Sequence, residues 1–152
     1  MIYLLALLIG IVAGLRALTP LAAVSWAAYL GRLPLQATWL AFLGFTLVPY
    51  IVTLLAVVEL VVDQLPSAPS RKAPPGFGAR IVTGALSGAA IGVSGNALIG
   101  GLVAGVIGAI IGTFGGYAVR MRLAGVFGRD RPAALIEDFI AVVAAILLVT
   151  AA

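Results

Sequence analysis

Apolar residues form long stretches along this chain, and polar residues are collected between them. Five such stretches cover residues 2–30, 39–62, 81–93, 97–119 and 133–152. Within each stretch, apolar residues occupy every face of a helix instead of alternating with polar ones, which excludes transmembrane strands. About 20 apolar residues cross the hydrocarbon core of a membrane as a helix. The pattern therefore predicts an all-α membrane protein with about five transmembrane helices, in a single domain over residues 1–152.

Two of these stretches contain proline. In the first, Thr19 and Pro20 follow Arg16, and a proline ring clashes with the carbonyl four residues earlier and removes one helical hydrogen bond. Thr19 is itself disfavoured in α geometry because it precedes a proline. We therefore predict a first helix that is broken or kinked at Arg16–Pro20, and a second break at Pro49. Measured from the start of the chain, Arg16 lies about 21 Å along its helix, past the midplane.

The polar connections predict how the chain crosses the membrane. Residues 64–78 form an extended loop because they hold four of the eight prolines: Pro66, Pro69, Pro74 and Pro75. A tight turn is predicted at residues 93–97 and a loop at residues 125–132. The first stretch lacks a basic leader and is interpreted as a retained span.

Basic residues set the predicted orientation. With five spans, the N-terminus shares one side with loops 64–78 and 125–132. That side carries seven basic residues: Arg71, Lys72, Arg80, Arg120, Arg122, Arg129 and Arg131. The other side carries only Arg32. The positive-inside rule then predicts a cytoplasmic N-terminus and an external C-terminus.

Small residues recur every four positions in the third and fourth stretches. They are Gly84, Gly88 and Gly92 in the third, and Gly101 and Gly105 beside Gly108, Gly112 and Gly116 in the fourth. Residues four apart share a helix face, and small faces let helices approach closely in lipid. We predict glycine-zipper packing between the third and fourth helices. The other glycine face meets the first helix or a second subunit, which favours a homo-oligomer. A glycine-lined pore is the alternative.

Composition excludes several functional classes. The chain is 63% hydrophobic and only 9% charged, too little charge to cover a water-exposed surface. Cysteine and histidine are both absent, which removes thiol nucleophiles, Cys/His metal sites and histidine bases. We predict no catalytic residue, metal or cofactor, and Ser25, Ser87 and Ser94 have no evident basic partner within the membrane. The net charge of +4 concerns orientation and anionic lipid, and no nucleic-acid partner is predicted.

Ionisable residues within or beside the spans are the candidate functional residues, because such groups are costly in lipid and usually face partners or cavities. Glu59 and Asp63 share a helix face, and Arg80 is their expected partner. Interhelical ion pairing is one interpretation. The other is a polar route for protons or hard cations, or an anion or lipid-headgroup site on the arginines. The full set is Arg16, Glu59, Asp63, Arg80, Arg120, Arg122, Glu137 and Asp138.

A weak internal repeat relates residues 10–24 to residues 112–126. Both read G-x3-G, six residues, then Leu-Ala-small-Val, and each is followed by a helix carrying two acids. Under five spans the two copies have opposite orientation, which is typical of transporters with inverted repeats.

The sequence resembles a bacterial integral membrane family catalogued as domain of unknown function 4126. The resemblance covers nearly the whole chain and is carried by ELVVDQLPSAPSRKAPPGFGARIVTGALSGAAIG, GTFGGYAVRMRL, ALIEDFIAV and GLRALTPLAAVSWAA. It implies a small, glycine-rich, multi-pass protein of the bacterial inner membrane. It implies no activity, substrate or catalytic residue.

Two functional hypotheses follow. The first is a channel or transporter for an ion, small solute or lipid, with the buried arginines and carboxylates along its polar route. The second is a structural or accessory membrane protein that docks a partner or anionic lipid through its cytoplasmic loops, PSAPSRKAPP above all.

Overall fold

The computed structural model describes residues 1–65, 67–68, 70 and 72–152. Within these ranges the chain forms six α-helices and one short 3-10 helix. They are α1 Ile2–Leu15, α2 Leu18–Tyr29, the 3-10 helix Trp39–Gly44, α3 Val48–Val62, α4 Pro74–Ser94, α5 Leu98–Phe127 and α6 Asp130–Ala151. The prediction of an all-helical chain is confirmed for the described residues.

Three of the described helices, α4, α5 and α6, are long and apolar enough to cross a membrane. This length and composition are compatible with a membrane location. α1 and α3 are apolar but shorter, with 14 and 15 residues, and α2 has 12. The first predicted stretch therefore forms two helices, and the second becomes α-helical only from Val48.

The prolines explain where several helices begin. Pro49 lies in the first turn of α3, and Pro20 lies in the first turn of α2. A proline is tolerated there because the N–H groups of a first turn have no helical partner. The prediction that Pro49 interrupts a helix is therefore wrong, because the helix starts beside it. The break in the first stretch falls at Arg16 and Ala17, at the front of the predicted interval.

The two long predicted loops are both shorter than expected. Pro74 and Pro75 open α4, so residues 74–78 are helical and not extended. Pro66, Pro69 and Arg71 lie outside the described residues. α5 continues to Phe127 and α6 begins at Asp130, so only two residues of the predicted loop 125–132 lie between them.

Helices α1, α4 and α5 form one tightly packed layer. A Cβ atom added at Gly105 would collide with the carbonyl oxygen of Gly84, and one added at Gly101 would collide with that of Gly88. These contacts pair α4 with α5. On the neighbouring face of α5, a Cβ at Gly108 would meet the carbonyl oxygen of Leu7, so this face packs against α1. Gly92 and Gly112 are in similarly close contact, whereas Gly116 lines an apolar groove.

The second glycine face of α5 is therefore covered within the chain. Because α1 covers this face, the face gives no support to the predicted homo-oligomer. The oligomer itself stays a prediction.

The packing within this layer gives the directions of its helices. A Cβ added at Gly95, in the α4–α5 turn, would lie 3.0 Å from the side chain of Ile2, whereas Gly14 lies against Thr113. α1 and α5 therefore run parallel. Arg80, near the start of α4, donates to the carbonyl of Gly14, so α4 runs opposite to both.

The remaining helices continue the alternation. α6 follows α5 after a two-residue connection, and Glu137 of α6 reaches back to Arg120 of α5, as in an antiparallel pair. From Asp138 onward α6 runs beside α2, since Ala145 and Ile146 line one cavity together with residues of α2 and α3. α2 therefore turns back beside α6, and the chain reverses at Arg16. Successive α-helices thus run in opposite directions.

This alternation corrects the predicted arrangement of the ends. We call the end that holds Arg16, Asp63, Arg80, Arg120 and Asp138 the arginine end. Both chain termini lie at the opposite end, with the α4–α5 turn. The prediction that the N-terminus shares a side with the two basic loops is therefore wrong, because the first stretch reverses instead of passing straight through.

Candidate functional site

Arg16 is the residue at which the first stretch reverses. Its backbone is extended, with φ −138° and ψ 116°, and its side chain is fully buried. Its Nε donates to Oδ1 of Asp138 at 2.5 Å, and its terminal nitrogens contact Asp63, Asp138 and, at 3.8 Å, Glu137. One guanidinium group therefore joins the α1–α2 junction to the end of α3 and the third turn of α6.

Glu59 caps the broken end of α2. Its two carboxylate oxygens accept hydrogen bonds from the backbone N–H groups of Ala17 and Leu18, each at 2.8 Å. A carboxylate is stabilised there because a helix N-terminus carries a partial positive charge and unpaired N–H groups. At the C-terminal end of its own helix, Glu59 is unfavourably placed, and the N-terminus of α2 offsets that cost.

Arg80 satisfies the other side of the break. Its Nε donates to the carbonyl of Gly14 at 3.2 Å, and its Nη1 donates to the carbonyl of Gly76 at 3.1 Å. In a continuous helix the N–H of Leu18 would bond to the carbonyl of Gly14. Here Glu59 takes the N–H and Arg80 takes the carbonyl, so two charged side chains replace one backbone hydrogen bond.

Arg120 extends the network along α5. It forms a two-point contact with Asp130, at 2.9 and 2.6 Å, and reaches Glu137 at 3.5 Å and the carbonyl of Asp63 at 3.4 Å. Gln64 donates to Asp138 at 2.9 Å. Sequence reasoning missed Gln64 and Asp130. A single amide at the end of a span carries no sequence signal. Asp130 could have been found, because an acid in the first turn of one helix is a natural partner for an arginine near the end of the preceding helix.

The structure brings together seven of the eight predicted charged residues. Arg122, the eighth, is exposed on α5. Four carboxylates meet three guanidinium groups among the described residues of this network, not counting Asp130 at its exposed edge. The seven are Arg16, Glu59, Asp63, Arg80, Arg120, Glu137 and Asp138.

A cavity of about 300 Å³ adjoins this network where the helix is broken. Among the described residues, Glu59, Asp63 and Arg80 are the charged residues that line it. Arg80, which was predicted to be the partner of Glu59 and Asp63, therefore lines the same cavity as these two residues. The remaining lining comes from the α1–α2 junction and the start of α4: Ala17, Leu18, Ser70, Ala73, Pro75, Gly76 and Ala79.

The predicted depth of Arg16 is wrong, because it assumes that the N-terminus lies at the same end as the basic connections. The helix from Ile2 to Arg16 is about 21 Å long, and it runs toward the basic connections instead of away from them. Arg16 is therefore deep when measured from the terminal end and shallow when measured from the arginine end.

Ser25, considered above as a nucleophile, has a structural partner. It is fully buried and its hydroxyl donates to the carbonyl of Leu43 at 2.5 Å, which holds the 3-10 helix against α2.

Comparison with known proteins finds no family model, no curated protein and no solved structure that matches this chain.

Proposed function

We propose that the protein is a small transport protein of the bacterial inner membrane that passes a proton or a small cation through the cavity at the arginine end. The observation that carries this proposal is the cavity wall itself. Glu59 and Asp63 line one space beside a broken helix, in a network whose described residues include four carboxylates and three guanidinium groups. Buried surplus negative charge is costly unless a proton or cation neutralises it.

Glu59 couples an occupant of the cavity to the helix break. Its carboxylate holds the two free N–H groups at the start of α2 through its negative charge. A proton or cation on Glu59 weakens that hold. Entry of the transported species therefore loosens the α1–α2 junction, and departure tightens it again. Broken helices with charged groups at the break serve this purpose in secondary transporters.

The proposed orientation follows the basic residues. Besides the buried Arg16, those at the arginine end are Lys72, Arg80, Arg120, Arg122, Arg129 and Arg131, against Arg32 at the other end. The positive-inside rule makes the arginine end cytoplasmic. The C-terminus is then external, as the sequence predicts, and the N-terminus is external as well. The first stretch is then a helical hairpin entering from outside, and the glycine contacts act as a zipper that holds α1, α4 and α5 together in lipid.

Ion flux into proteoliposomes tests the proposal. We expect the wild-type chain to admit protons, Na⁺ or K⁺ under a membrane potential, and Glu59→Gln to abolish this flux while the protein stays folded. Asp63→Asn should act in the same direction. Asp130→Asn is the matched control, because Asp130 is exposed and does not line the cavity, and its flux should stay at the wild-type level. Equal flux in the wild type and Glu59→Gln would contradict the proposal.

A structural role is the second candidate, and one observation favours it. The guanidinium group of Arg16 contacts three carboxylates from two other helices, which is also what an interhelical lock requires. Under this alternative, wild-type proteoliposomes pass none of the three ions. The docking segment PSAPSRKAPP of this hypothesis lies partly outside the described residues.

A further inference from the structure

An apolar groove of about 300 Å³ lies between α1, α5 and α6, away from the cavity at the helix break. Gly115 and Gly116 leave the middle of the α5 side without side chains, while Leu15 and Ile140 belong to the other walls. A Cβ atom at Gly115 would have nothing within 4 Å, so the groove is open there. Its lining is almost entirely apolar.

The dimensions of the groove suit one leaflet of a membrane. Its lining runs along α5 from Ile111 to Leu123. Twelve residues of helix correspond to about 18 Å. Half of a hydrocarbon core is about 15 Å thick. The length of the groove is therefore close to the depth that one acyl chain occupies in the cytoplasmic leaflet.

The polar end of the groove carries excess positive charge. Arg120 and Glu137 line it at the arginine end. Arg129 of the α5–α6 connection and Arg131 in the first turn of α6 lie between the lining residues Leu123 and Ala133 in the chain. Between residues 120 and 137 the chain carries four arginines against two acids, Asp130 and Glu137. The arginines are Arg120, Arg122, Arg129 and Arg131.

We propose that this groove binds an anionic phospholipid of the cytoplasmic leaflet, with one acyl chain along α5 and the phosphate beside Arg129 and Arg131. The chain fills the space that the glycines leave, and the headgroup meets the surplus positive charge. This site is separate from the transport cavity; it rests on the orientation proposed above but not on transport itself.

Lipid retention tests this inference. The full-length protein is placed in nanodiscs of equal phosphatidylglycerol and phosphatidylcholine and re-extracted in mild detergent, and bound lipids are counted by native mass spectrometry. We expect the wild type to retain phosphatidylglycerol in preference. Each of Arg129→Gln and Arg131→Gln should lower that preference by about fivefold, the usual effect of one basic residue at an anionic surface.

Two glycine substitutions on the same helix separate groove filling from other effects. Gly115 lines the groove and Gly125 does not, and a Cβ atom added at either position has nothing within 4 Å. Gly115→Leu therefore adds a side chain in the groove, and Gly125→Leu adds the same side chain outside it. Retained phosphatidylglycerol should fall to the phosphatidylcholine level in Gly115→Leu and stay at the wild-type level in Gly125→Leu.

Three results would overturn the inference. They are equal retention of the two lipids by the wild type, equal phosphatidylglycerol retention by the two leucine variants, and a change of oligomeric state in Gly115→Leu alone. The last would mean that a second copy of the chain fills the groove.

Discussion

At the scale of single residues, charged side chains replace backbone hydrogen bonds. Glu59 takes two N–H groups of α2, and Arg80 takes a carbonyl of α1. Arg16 then forms ion pairs with Asp63 and Asp138, two of the carboxylates gathered around the junction. An uncompensated buried charge costs several kcal/mol, so each member of this network is stable only because the others are present.

Replacing Arg16 tests this interdependence. Arg16→Leu keeps an apolar side chain in the space but leaves Asp63, Glu137 and Asp138 without their shared partner. We expect the free energy of unfolding in detergent to fall by about 3–5 kcal/mol. Arg32→Leu, at an exposed position of the opposite end, should change it by less than about 0.5 kcal/mol. Equal stabilities of the two variants in a denaturant titration would show that the network is dispensable.

At the scale of helices, close backbone contact determines which faces meet. The glycines of α5 form two neighbouring faces, one against α4 and one against α1. In lipid, apolar side chains gain nothing by leaving a solvent that is equally apolar, so helices associate through close packing. The polar end of the bundle adds ion pairs to this packing.

A matched pair of alanine substitutions in α5 tests the packing. At Gly105 a methyl group would collide with the backbone carbonyl of Gly84, which cannot move without moving α4. We expect Gly105→Ala to lower the free energy of unfolding by about 1–3 kcal/mol. At Gly125 the methyl group meets nothing, and alanine should raise it by up to about 1 kcal/mol through helix propensity. Thermal unfolding in detergent that moved in the same direction for both would contradict the assigned contacts.

At the scale of the whole molecule, alternation of the helices places both termini at one end and the basic connections at the other. The first apolar stretch causes this arrangement, because it reverses at Arg16 instead of continuing as one kinked span. The described part of the chain has six α-helices, and an even number of alternating helices brings the two termini to the same end.

Labelling of single cysteines in intact cells tests this arrangement, and the absence of natural cysteine gives a clean background. Asn96→Cys, Thr150→Cys and a cysteine inserted after Met1 should react with an impermeant maleimide from outside. Ser67→Cys and Arg129→Cys should react only after the membrane is permeabilised. Protection of the N-terminal cysteine together with labelling at Asn96 would restore the five-span arrangement.

Much of the chain could be predicted because single-residue properties decide it. Uniform apolarity predicts helices, and the spacing of Glu59 and Asp63 predicts a shared face, which does line one cavity. The glycine repeat predicts close contact between α4 and α5, which is observed. The effect of proline depends on its position in a helix. Pro20, Pro49 and Pro74 each lie in the first turn of a helix here, and the same ring that breaks a helix interior is tolerated in a first turn.

The sequence alone determined the helical class, the apolar lengths and the charged residues that gather at one end, since these depend on composition and on spacing along the chain. Tertiary structure alone decided that the first stretch reverses at Arg16 and that Glu59 and Arg80 divide one broken hydrogen bond between them. Both depend on partners more than 40 residues away in the sequence, as the separation of Ala17 from Glu59 illustrates. Because no local pattern records such partners, a buried arginine beside a proline predicts a break but not the direction in which the chain leaves it.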